Sequence, residues 1–79
     1  MIKIIHRVNS INKLKKTPIY YGVEIDVRSN YNYLYLHHDP LINGEKFENW
    51  LKIYKHKFLI IHLKEDGLEK ECMKLLKKY

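Results

Sequence analysis

The feature that most constrains this chain is a repeated switch of hydrophobic period. Segments that alternate apolar and polar residues, or run apolar throughout, are interleaved with segments whose apolar residues recur every three or four positions. Period two belongs to a strand and period three to four to a helix, so the switch predicts strands alternating with helices, as in a parallel sheet wound from right-handed β-α units. Ile2 to Ile5 form a short β-rich run, after which Ser10 is placed to cap a helix from Ile11 to Lys16. Thr17-Pro18 ends that helix, and Tyr20 to Arg28 reads as a strand in which Val23, Ile25 and Val27 alternate with Gly22, Glu24, Asp26 and Arg28. Ser29 to Asn32 is a turn, Tyr33 to His37 a further extended piece, and His38-Asp39-Pro40 with Asn43-Gly44 a polar connection. From Glu45 the residues Phe47, Trp50, Leu51 and Tyr54 follow one helical face. Phe58 to Leu63 is a continuous apolar run of the kind found in parallel strands buried on both faces. Asp66, with Glu69 three residues on, forms a capping-box pattern for a last helix lined by Leu68, Cys72, Leu75, Leu76 and Tyr79. The predicted order is β-α-β-β-α-β-α.

A length of 79 residues supports one core, so residues 1–79 are read as a single domain. A closed eight-fold barrel needs roughly 200 residues or more, so these units form at most the N-terminal part of one. The net charge of +6 comes from 15 basic and 9 acidic residues, but the lysines are scattered from Lys3 to Lys78 and arginine occurs only at Arg7 and Arg28. Nucleic-acid binders gather such charge on one face, which argues against a nucleic-acid partner. The lone Cys72 excludes an intramolecular disulfide, and no stretch has the length of a membrane span; the expectation is a soluble, cytoplasmic protein.

Five polar residues fall at the carboxyl ends of predicted strands, where parallel α/β proteins place their sites: His6, Glu24, Asp26, His38 and His62. Glu24 and Asp26 lie two apart on one strand and share a face opposite Val23, Ile25 and Val27, so both carboxylates point inward and need a cation. Such a pair can hold a hard divalent ion through oxygen. His6 and His38 are candidates for acid-base work near neutral pH, whereas His37 alternates away from His38.

Taken in order and spacing, His6-Arg7, then Gly22-Val23-Glu24-Ile25-Asp26-Val27, then Leu36-His37-His38-Asp39-Pro40-Leu41 resembles the glycerophosphodiester phosphodiesterases. The similarity runs from about Ile4 to Lys64. It implies a TIM barrel of the phosphatidylinositol-phospholipase-C-like kind, of which this chain is the opening part, with a bound divalent cation, magnesium or calcium. It further implies that His6 and His38 are the catalytic pair, Glu24 and Asp26 metal ligands, and Arg7 and Lys64 phosphate contacts. The family's first His-Arg is usually followed by glycine, where this chain has Val8. The third strand usually offers an acidic ligand, where this chain has His62, a donor better suited to a transition metal. The implied reaction is hydrolysis of a small phosphodiester, glycerophosphodiester-like or a sugar phosphate, once the rest of the barrel is supplied. Two alternatives stand beside it: a non-catalytic remnant or assembly module of the same fold, and a small basic nucleic-acid-binding domain. An incomplete barrel also exposes the edge of the Phe58 to Leu63 strand to self-association.

Overall fold

The computed structural model describes residues 3–30, 33–39 and 44–79. Ile2 of the first predicted strand, Asn32 of the turn, Pro40 and Leu41 of the motif segment and Asn43 lie outside the described residues. The elements run β1 (Ile4–Ile5), α1 (Ile11–Lys16), β2 (Gly22–Ser29), β3 (Leu34–Leu36), β4 (Glu45–Lys46), α2 (Phe47–Leu51), β5 (Leu59–Leu63) and α3 (Glu69–Lys78). They form a mixed α/β fold with a five-stranded sheet. Among the described residues, no helix is long and apolar enough to cross a membrane.

Strand β2 organises the sheet. On one edge it pairs in parallel with β5, from Val23 opposite Leu59 to Val27 opposite Leu63. Its other edge is shared by two strands. β1 runs parallel to Gly22 and Val23, and β3 runs antiparallel to Val27 through Ser29, with β4 pairing outside β3. The changeover leaves a seam at Glu24 and Asp26. There Val8 N–H donates to the Glu24 carbonyl at 2.8 Å and His37 N–H to the Asp26 carbonyl at 3.1 Å. Among the described residues the Asp26 N–H meets no backbone acceptor on this edge and donates instead to Asn9 Oδ1 at 2.9 Å. A side-chain amide thus supplies the missing rung of the ladder.

The apolar face of β2 is the floor of the core. Val23, Ile25 and Val27 are fully buried together with Val8, Leu14, Leu36, Phe47 and Trp50. Trp50 anchors the cluster twice, by its volume and by an Nε1–H bond to the Val8 carbonyl at 3.0 Å. Helix α1 has the predicted bounds, with Ser10 Oγ accepting from Lys13 N–H. Thr17 then closes it, Oγ1 donating to the Lys13 carbonyl. Gly44 is required by close approach, because a Cβ there would land on the Leu36 carbonyl.

Three local expectations are corrected. The helix expected from Glu45 is reduced to Phe47–Leu51, preceded by β4, because the chain turns after Leu51 through bonds from Ile53 N–H to Trp50 and Tyr54 N–H to Leu51. Tyr54 still reaches the core by stacking on Trp50, centroids 5.4 Å apart. The Asp66–Glu69 capping box does not form: Gly67 takes a positive φ of 83° and Leu68 becomes the cap residue of α3 without a side-chain bond. Strand β5 is not buried on both faces, since His62 is exposed and its apolar residues are half-buried. Among the described residues β5 pairs only with β2, which leaves its outer edge unpaired.

Candidate functional site

The alternation along β2 sends Glu24 and Asp26 to the face opposite the core. Their side chains are only 13% and 2% exposed, so both carboxylates are largely withdrawn from water. Burial pushes the Glu24 carboxyl up, but a hydrogen bond and charge from His6, the charge of His62 and the Arg7 N–H outweigh it, and the net shift is downward. Burial likewise pushes Asp26 up, and it too ends below its ordinary value. The Asn9 amide and the Lys64 ammonium supply the opposing stabilisation, with a smaller contribution from His38. Both groups are therefore held as carboxylates.

His6 and Arg7 form the turn leaving β1. His6 Nδ1 lies 3.0 Å from Glu24 Oε2, so this nitrogen donates to the carboxylate, and in the neutral ring Nε2 keeps its lone pair. Arg7 adopts a left-handed φ of 53°, which costs a non-glycine residue about 1 kcal/mol. Lys13 holds that turn, its Nζ donating to the carbonyls of His6 and Arg7 at 2.9 and 3.1 Å. The departure at Val8 has a packing reason: the residue is fully buried and its carbonyl receives the Trp50 indole.

His38 stands on the loop after β3. Its Nε2 is 3.2 Å from Arg7 Nη2, which can only donate, so that nitrogen is an acceptor, and Nδ1 faces Asp39 Oδ1 at 3.4 Å. Arg28 braces the loop from below, Nη2 donating to the His38 carbonyl at 2.6 Å and Nε to that of His37 at 3.2 Å. The His37 ring turns back to accept from Asp39 N–H, leaving His38 as the loop's histidine on the site.

Strand β5 completes the group. His62 sits opposite Asp26 in register, with Nε2 3.6 Å from Glu24 Oε2 and Nδ1 3.9 Å from Asp26 Oδ1. The ring thus faces both carboxylates. Lys64, two residues on, places Nζ 3.5 Å from Asp26 Oδ1. The cation that two inward carboxylates require is present in the chain itself.

Among the described residues no group of three or more His, Cys, Asp or Glu is arranged to hold a metal ion. The donor chemistry agrees. Asp26 Oδ2 is taken by Asn9 Nδ2 at 2.9 Å and Oδ1 faces an ammonium, while Glu24 Oε2 is taken by His6. As arranged, Glu24, Asp26 and His62 do not fit an oxygen-liganded divalent site.

His6, Glu24, Asp26, His62 and Lys64 are thus brought together by contacts of 3.0–3.9 Å, and Arg7 and His38 form a second pair at 3.2 Å, joined to the first through the Arg7 N–H on Glu24. Asn9, Lys13 and Arg28 are also part of the assembly and carried no sequence signal: each acts through a long-range or side-chain-to-backbone bond that leaves no local pattern. The hollow lined by Tyr33, Leu34, Lys46, Glu48, Glu71 and Leu75 lies elsewhere and contains none of these groups. No family model, curated protein or solved structure matches the chain.

Proposed function

We propose that this site binds and hydrolyses a small phosphodiester, glycerophosphodiester-like or a sugar phosphate, with His6 and His38 as the acid-base pair. On this reading the chain is the opening part of a phosphodiesterase barrel of the glycerophosphodiester phosphodiesterase type. The observation that carries the reading is the pairing of the two histidines with opposite partners: His6 bonded to the Glu24 carboxylate and His38 to the Arg7 guanidinium. In support, the parallel strands β1, β2 and β5 lie side by side in chain order, the neighbour relation of barrel staves, with His6 just past the end of β1 and His62 near the end of β5, while Glu24 and Asp26 lie within β2 rather than at its carboxyl end.

The chemistry follows from the tautomers. A phosphodiester drawn to Arg7 exchanges the guanidinium's bond to His38 Nε2 for bonds to phosphoryl oxygens, and His38, once protonated, is freed to donate. His6 Nε2 accepts the proton of the substrate's neighbouring hydroxyl as that oxygen bonds to phosphorus, Glu24 stabilising the imidazolium formed. His38 gives its proton to the departing alcohol oxygen as the original P–O bond breaks. Water then opens the cyclic phosphodiester with the two histidines in reversed roles.

The test is binding first and turnover second. Titration with glycerophosphocholine should shift the ring resonances of both His6 and His38 saturably, and Arg7→Ala should abolish the shifts. In the protein at its native length, release of choline should fall by about 100-fold or more in His38→Ala, the usual loss for a general acid. If neither ring responds to the phosphodiester, the reading is wrong. A second reading, a non-catalytic module of the same fold, is favoured by Val8, whose packing against Trp50 fills the place of the family's glycine. It predicts ring shifts without turnover.

A further inference from the structure

The two carboxylates of β2 are the natural place for a divalent ion in a phosphodiester site, yet in this chain both Asp26 oxygens and Glu24 Oε2 already face protein partners. Lys64 Nζ stands at 3.5 Å from Asp26 Oδ1, and the His62 ring faces Glu24 and Asp26 at 3.6 and 3.9 Å. The Lys64 side chain is 31% exposed, so its ammonium has one side on a buried carboxylate and another towards solvent. This geometry differs from that of a surface ion pair, because Asp26 is 2% exposed and its second oxygen is held by Asn9. Removing the lysine would leave a desolvated carboxylate without a counter-charge.

We infer that Lys64 stands where a divalent cation would, its ammonium docked on Asp26 with the His62 imidazole facing both carboxylates, so that the site engages phosphoryl oxygens through Lys64 and Arg7 without magnesium or calcium. As a statement about phosphodiester chemistry this rests on the function proposed above; as a statement about ion occupancy it stands on the contacts alone. An ammonium presents three donors to solvent and carboxylate together, so one phosphoryl oxygen can bond to Lys64 without displacing it from Asp26. The His62 imidazole replaces the acidic group a hard cation would need as its third ligand, and imidazole is a poor donor to such ions.

The test uses the chain as it is, with magnesium and calcium as probes. Melting temperature and the Glu24 and Asp26 carboxylate 13C resonances are followed from EDTA into millimolar ion. Expected is no saturable change in either readout for the wild-type chain. In a chain carrying Lys64→Met and His62→Glu, which frees Asp26 and restores an oxygen ligand, the same titration should raise the melting temperature saturably. A saturable ion response in the wild-type carboxylates overturns the inference, as does a double variant that gains none. Where choline release is measurable, it should be unchanged by EDTA and fall about tenfold or more in Lys64→Met, the order expected for loss of one charge-stabilising donor. Dependence on added ion overturns the inference. Absence of choline release with every ion counts against the phosphodiesterase reading alone, because the occupancy readouts do not involve substrate.

Discussion

The two faces of β2 are built from alternate residues of the same strand and obey opposite rules. On one face Val23, Ile25 and Val27 are fully buried against Leu14, Phe47 and Trp50, and stability comes from apolar contact that any well-shaped hydrocarbon can provide. On the other, Asp26 is buried and Glu24 largely so, and their burial is offset by specific partners: Asn9 and Lys64 on the two Asp26 oxygens, and His6 and His62 on Glu24 Oε2. The first face forgives changes of shape and punishes loss of volume; the second punishes loss of a single atom.

The largest break in that comparison should come from the apolar side. Trp50→Ala removes the biggest buried side chain and the bond to the Val8 carbonyl, and should cost about 4 kcal/mol, read by urea denaturation. A loss below about 1 kcal/mol would mean that the core is not organised around this ring. On the polar face, Asp26→Ala should cost about 2–3 kcal/mol, because it leaves the Asn9 amide and the Lys64 ammonium without their acceptor. Asn9→Ala should follow at about 1–2 kcal/mol, the price of one unsatisfied buried N–H at the seam.

Acid sharpens the contrast. Glu24 and Asp26 titrate below their ordinary values of 4.5 and 3.8 in the folded chain. Their stabilisation is therefore complete above those values and is lost as pH falls through the lowered folded-state values. Melting temperature should drop on acidification in the wild type, and less steeply in Asp26→Asn. The smallest effect is expected of His6→Ala, within about 0.5 kcal/mol, since that side chain is 73% exposed and His62 still faces the same Glu24 oxygen.

These faces also separate what the sequence discloses from what it hides. The Val-Glu-Ile-Asp-Val alternation is a purely local pattern, and both its faces could be read from it. Helix α1 was equally legible, since Ser10 and Thr17-Pro18 mark its ends in residues adjacent to it. The end of α2 was not: Tyr54 continues the helical spacing yet packs on Trp50 from a turn, so period alone cannot tell helix from stacking. The Asp66 cap failed because Gly67 can adopt a left-handed conformation open to few other residues. In the site, the residue types and strand positions were visible, but their partners were not. The resemblance implies a phosphate contact for Lys64, and its contact with Asp26 depends on the β2–β5 register, which no local pattern states.

The seam at Asp26 has a consequence in the time domain. His6 and Arg7 follow β1 and His38 follows β3, two strands that touch the same edge of β2 without pairing with each other through it. What ties them across the gap is the Asn9 clasp and the bond from Arg7 to His38. Local opening at this point need not break either ladder, so the Asp26 amide should exchange its hydrogen with solvent faster than its neighbours Ile25 and Val27. A ligand gripped by both histidines would suture the two strands, and the protection it confers on that one amide would report how much harder the seam has become to open.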